Sequence, residues 1–135
     1  VGLSVPRGAR TAVVFAGGVV GTAVRAALVT AFPAQPGGWP WATFAINVTG
    51  AFLLALLLET LARRGPDAGA RQLLRLGLGT GVMGGYTTYS TFALETVRLV
   101  EAGAVFSGLG YALGTVLLGL SAAMAGGRLA ARLSP

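Results

Sequence analysis

Four long apolar stretches follow one another along the chain, separated by short polar or proline-rich segments. The first covers residues 11–31 and stops at Phe32-Pro33-Ala34-Gln35-Pro36-Gly37-Gly38-Trp39-Pro40, whose prolines and glycines do not continue a helix. The second covers residues 41–61 and gives way to a polar loop rich in arginine, from Arg63 to Arg71. The third covers 73–99 and the fourth 104–125. Each is close to the roughly 20 residues that cross a hydrocarbon core about 30 Å thick. The pattern therefore predicts an all-α integral membrane protein, one membrane domain over residues 1–135 with four transmembrane helices. The first stretch shows no small-residue cleavage site after a short apolar core, so it is expected to remain as a helix and not to be removed as a signal peptide. Trp39 and Trp41 are expected at a membrane–water interface.

The third stretch departs from the pattern. Gly84 and Gly85 are followed by five hydroxyl residues in succession, Tyr86, Thr87, Thr88, Tyr89 and Ser90, which is poor material for an uninterrupted lipid-facing helix. A break near 84–88 is predicted. Carbonyls freed at membrane depth need partners, and a hard monovalent cation held by backbone oxygens fits a site without histidine, cysteine or clustered carboxylates. A simple kink without an ion is the plainer alternative.

Composition sharpens this picture. Of the 135 residues 54% are hydrophobic and 10% are charged, against about 25% charged in an ordinary soluble domain. The 22 glycines suit close helix contact in lipid, and several are spaced by four: Gly17 and Gly21, Gly77 and Gly81, Gly81 and Gly85, Gly110 and Gly114. The absence of cysteine and histidine removes disulfides, thiol catalysis and imidazole bases, and the reading is of a non-enzyme. The net charge of +6 comes from ten arginines and four acids. These arginines flank the apolar stretches instead of forming a stripe with interleaved aromatics, so no nucleic-acid partner is expected. Arg7, Arg10, Arg63, Arg64, Arg71, Arg75, Arg128 and Arg132 fall on one side of a four-span topology, and Arg25 and Arg98 near the other. That eight-to-two bias predicts a multi-pass protein of the cell membrane with cytoplasmic termini.

Polar residues inside apolar spans are costly, so they are the candidates for function. Asn47 offers two N–H donors to an anion, or one interhelical hydrogen bond. Arg25 either snorkels to the interface or meets an entering ion. Tyr89 and Phe92 share a helix face with Ser90 and Thr91 beside them; their ring edges, where an aromatic quadrupole is positive, can replace water around a small anion, although core packing is the usual task of such a pair. Glu95 and Arg98 form a mouth or an interfacial pair. Tyr111 and Thr115, four apart, make a polar track or plain interhelical contacts.

The run Gly84-Gly85-Tyr86-Thr87-Thr88-Tyr89-Ser90-Thr91-Phe92, with Glu95 after it, resembles the signature of the CrcB/Fluc fluoride channels. Gly17, Gly18, Gly21 and Arg25 are similar to that family's first helix, and Asn47-Val48-Thr49-Gly50 to its second. The resemblance implies a fluoride-selective channel that passively exports cytoplasmic fluoride and relieves its toxicity. It implies an antiparallel dimer with two fluoride pathways and a structural, untransported sodium ion (Na+) at its centre. Gly84 and Thr87 would supply carbonyls to sodium, Asn47 would donate to fluoride, and Tyr89 and Phe92 would occupy the two aromatic-box positions. Ser90 and Thr91 belong to the same signature, and Tyr111 and Thr115 resemble the polar track; Arg25 and Glu95 are the candidate pathway mouth. Tyr89 stands where the family usually has phenylalanine. The arginine bias opposes insertion of one sequence both ways, so an oppositely oriented homologue is the expected partner, with a homodimer as the alternative, both in membrane lipid.

Two rival functions remain. A small multidrug exporter needs a mid-membrane carboxylate, and the first helix has none while Glu59 and Glu95 fall towards helix ends. A non-conducting subunit supplying helices to a heteromeric channel would be marked by dependence on its partner.

Overall fold

The structure is a computed structural model and describes residues 5–133. Its elements are α1 (Arg7–Ala31), α2 (Trp41–Arg63), α3 (Gly69–Leu74), a π-helical segment (Arg75–Met83), α4 (Gly84–Tyr86), α5 (Tyr89–Glu101) and α6 (Val105–Leu133). Prolines set the first boundaries: Pro6 precedes α1, Pro33 follows it, and Pro40 precedes α2. Between α5 and α6 the chain turns on Gly103, whose φ of 79° lies in the left-handed region, while its N–H reaches Val100 O and that of Ala104 reaches Leu99 O.

Three helices, α1, α2 and α6, are long and apolar enough to cross a membrane. At 25, 23 and 29 residues they exceed the expected spans, α1 by a turn at its start and α6 by two turns at its end. Their surfaces are inverted relative to a soluble protein. Phe106 is 92% exposed and Phe15 74%, while the buried apolar residues among those described are Ile46, Leu99, Tyr111 and Ala130. Such an apolar exterior suits lipid.

The third leg of the bundle, its third traverse from end to end, is assembled from pieces of 6, 9, 3 and 13 residues, none of which reaches membrane-spanning length alone. The interruption falls at Thr87 and Thr88, both extended (φ −78°, ψ 158° and φ −149°, ψ 124°). Gly84 and Gly85, expected within the break, lie in the helical turn before it. The physical reason is a close approach of backbones. A Cβ on Gly85 would collide with Gly18 O, one on Gly17 with Gly77 O and one on Gly21 with Val82 O. Glycine here removes side chains from the α1 seam, and the hydroxyl residues make the break. The π winding of Arg75–Met83, which the hydrophobic pattern did not announce, is a form found frequently at functional sites.

Contacts fix the directions. Gly17 meets Gly77 and Gly81 while Gly21 meets Val82 and Tyr86, so α1 runs parallel to the third traverse. Gly79 faces Leu54 and Leu57, Gly50 faces Thr87, and Thr43 bonds to Glu95, so α2 runs antiparallel to it. Gly114 meets Phe44 and Gly126 meets Phe52, so α6 runs alongside α2 in the same direction. The chain thus goes up, down, up and down, and the break sits between α2 and α6.

Candidate functional site

Two hydrogen bonds define the break. Asn47 Nδ2 donates to Thr88 O at 3.0 Å, and Asn47 Oδ1 accepts from Thr88 N at 2.9 Å. The amide therefore reads the peptide edge of Thr88 in both directions, as a neighbouring strand would. In a continuous helix Thr88 N–H would bond to Gly84 O and Thr91 N–H to Thr87 O. Asn47 takes the first donor, and Thr88 Oγ1 takes the second at 3.2 Å as the N-cap of α5. The carbonyls of Gly84 and Thr87 lose their helical partners through these two substitutions. Carbonyl oxygens without a donor among the described residues are the kind of ligand a hard cation such as sodium takes, so the residues present fit the ion that the resemblance implies. Gly85 O is already occupied, because Arg25 Nε donates to it at 3.0 Å. Arg25 thus reaches inward across 60 residues of sequence and steadies the turn before the break.

Beside the break lies a recess lined by Asn47, Thr87, Thr88, Tyr89, Phe92 and Thr115. Phe92 is half-buried, with its ring centroid 6.0 Å from that of Tyr89 and 5.4 Å from that of Tyr111. Tyr89 is 81% exposed, projecting from the single chain, and Ser90 beside it is exposed as well. Thr91 accepts from Thr88 Oγ1 at 3.2 Å, which places it on the capping side of the first turn of α5. Asn47 has one N–H engaged with Thr88 and a second left to offer.

A second cluster lies beyond Phe92. Glu95 accepts from Tyr111 Oη at 2.7 Å on one carboxylate oxygen and from Thr43 Oγ1 at 2.9 Å on the other. Tyr111 and Thr43 are 0% and 1% exposed. Glu95 is half-buried and turned into the bundle, and the ion pairs among the described residues are Arg63–Glu59 and Arg75–Asp67, so an interfacial Glu95–Arg98 pair does not form. The expected alignment of Tyr111 and Thr115 hydroxyls also does not form. Thr115 donates back to Tyr111 O at 2.7 Å on its own helix, while the Tyr111 hydroxyl points to Glu95. Phe92, stacked between the recess and Tyr111, is what joins the two clusters.

Sequence reasoning missed Thr43 and Thr88. Thr43 lies four residues before Asn47 and shares its helix face, and Thr88 followed by Thr91 is the spacing of a helix cap; both signals were available. Trp39 is no simple interfacial anchor. Its ring stands edge-on to Tyr111 at 5.7 Å and to Phe44 at 5.8 Å, closing the far end of the second cluster.

The geometry can be set beside known proteins. A family model described as "CrcB-like protein, Camphor Resistance (CrcB)" matches residues 12–127. The chain is 51% identical over 113 residues to "Fluoride-specific ion channel FluC 2" of Leifsonia xyli, covering 84% of this chain and 77% of that protein. It is 46% identical over 106 residues to "Fluoride-specific ion channel FluC 1" of Cutibacterium acnes, covering 78% and 74%. With "Fluoride-specific ion channel FluC" of Novosphingobium aromaticivorans it shares 43% identity over 114 residues, 82% of this chain and 87% of the relative.

Proposed function

The chain belongs to the CrcB family, and on that premise we propose that it is a subunit of a fluoride-selective channel that passively exports cytoplasmic fluoride. The observation that carries the reading is the Asn47 clamp on Thr88, set against Phe92 in one recess. Fluoride is small and strongly hydrated, so a pathway must replace its water without trapping it. Asn47 offers a neutral N–H, and the rings of Phe92 and Tyr89 offer positive edges. The recess has no arginine in its lining, and donors without fixed charge hold an anion weakly enough for it to leave. The membrane potential supplies the outward drive, about 2.3 kcal/mol per charge per 100 mV.

In this reading all four traverses cross the bilayer, with cytoplasmic termini. The carbonyls of Gly84 and Thr87 would hold sodium between two antiparallel subunits, where it would supply a fixed positive charge. The exposure of Tyr89 supports such an arrangement, because a second subunit would cover the ring and complete the recess. Ser90 and Thr91 line the approach beside it, and Tyr111 and Thr115 lie along the same route. Glu95 belongs to its deeper part and Arg25 to the support of the break. No step needs a covalent intermediate, and the four acids are placed for none.

A second reading rests on one observation, the eight-to-two arginine bias: the chain is one half of a heteromer whose partner inserts the other way. Fluoride efflux from liposomes holding only this purified chain, with sodium present, charge clamped by a potassium ionophore and chloride as control, separates the two. Fluoride release without chloride release supports the self-sufficient channel. Release only after adding an oppositely oriented homologue supports the heteromer, and no fluoride release in either mixture refutes the proposed function.

A further inference from the structure

A groove runs between the start of α1 and the start of the π-helical segment, at the arginine-rich end of the bundle. Arg7, Arg10, Gln72 and Arg75 line its rim, and Phe15 and Leu76 continue it along the helices. Arg7, Arg10 and Val14 recur at helical spacing, so rim and floor belong to one stripe of α1. Phe15 lies eight residues beyond Arg7, about 12 Å along the axis. The polar interfacial layer on each side of a bilayer is roughly 5–7 Å deep, so the stripe passes from that layer into hydrocarbon.

The charge in this groove is unbalanced. Arg75 is held by Asp67 at 2.8 Å, and the other ion pair among the described residues, Arg63–Glu59, lies on α2. Arg7 and Arg10 therefore bring positive charge that no carboxylate among the described residues meets at ion-pair distance. Gln72 adds an amide donor, and Phe15 stays 74% exposed. A free anion would satisfy the arginines and leave the apolar floor bare. A neutral lipid tail would cover the floor and leave the charge unmet. One molecule class satisfies both, and we infer that the groove is a binding site for a single anionic phospholipid. Its phosphate sits on Arg7 and Arg10, its acyl chain over Phe15 and Leu76, and Arg75 is fixed beside the headgroup by Asp67.

The test uses the full chain in detergent micelles with a phosphatidylglycerol that carries a fluorophore on its acyl chain. Binding should saturate and be displaced by unlabelled phosphatidylglycerol, but not by phosphatidylcholine or inorganic phosphate at equal concentration. R7Q combined with R10Q should weaken it by about tenfold or more, since each arginine near a membrane surface contributes attraction to anionic lipid. F15S should weaken it as well, whereas R128Q combined with R132Q, the same loss of charge elsewhere on the chain, should leave it unchanged. R7K combined with R10K keeps the charge and should retain most of the binding. Equal displacement by phosphatidylcholine would overturn the proposal in favour of an apolar seam. Displacement by inorganic phosphate would make the groove a free-anion site, and equal weakening in the Arg128 and Arg132 variant would reduce the effect to diffuse charge. Should R7Q with R10Q not fold, the displacement series on the unaltered chain still decides between these outcomes.

Discussion

Asn47 was conspicuous in the sequence as an amide within an apolar run, and the two uses read for it there, anion donor and interhelical bond, are compatible in the structure. One N–H and the carbonyl oxygen clamp Thr88, which leaves the second N–H to offer. Asn47→Ala should therefore suppress fluoride efflux by about tenfold or more, while the lost interhelical bonds cost only about 1–2 kcal/mol and the variant elutes from a sizing column where the unaltered protein does. Phe92→Ile, which removes a ring and keeps apolar volume, should suppress efflux to a similar degree with assembly intact. Wild-type flux in both variants would remove the recess from the pathway. The partners of Glu95 were not legible, because Thr43 and Tyr111 are 52 and 16 residues away and nothing local links them. Tyr111→Phe leaves one carboxylate oxygen of Glu95 without its donor, a loss of about 1–3 kcal/mol for a poorly solvated group, and should lower the melting temperature of the purified protein. An unchanged melting temperature would mean that water replaces the hydroxyl.

At the scale of elements, the hydrophobic pattern located the three long apolar helices α1, α2 and α6 to within a turn or two, because length and apolarity are local properties. It also announced an interruption in the third traverse. What it could not assign was the division of labour within the run from Gly84 to Thr88. Glycine and hydroxyl residues both weaken a helix, and only the position of α1 decides that Gly85 serves contact and the threonines serve the break. Two neighbouring glycines make this testable. A Cβ on Gly21 would strike Val82 O and crowd Tyr86 N, while one on Gly18 meets nothing within 4 Å. Gly21→Ala should force the seam between α1 and the third traverse apart, a cost of about 1–3 kcal/mol typical of overpacking, and reduce both folded yield and flux. Gly18→Ala should do neither. If the two variants behave alike, the seam is not what holds the break in place.

For the whole molecule, the decisive property is distributed along the chain and belongs to no site. The eight arginines assigned to one side and two to the other favour one orientation, whereas the proposed antiparallel homodimer would require both. The structure brings the start of α1 and the start of the π-helical segment to the same end, so Arg7, Arg10 and Arg75 act together in that bias and are not scattered over two faces. The chain contains no cysteine, which permits a direct measurement. Ala68, in the loop before α3, and Ala102, in the turn between α5 and α6, are both exposed and lie at opposite ends of the bundle. With A68C and A102C as separate reporters, an impermeant maleimide added to intact cells should label A102C and spare A68C. That outcome means one orientation, and function then needs an oppositely inserted partner. Partial labelling of both reporters means that the arginine bias is too weak to fix topology, and one sequence can then build both halves of the channel.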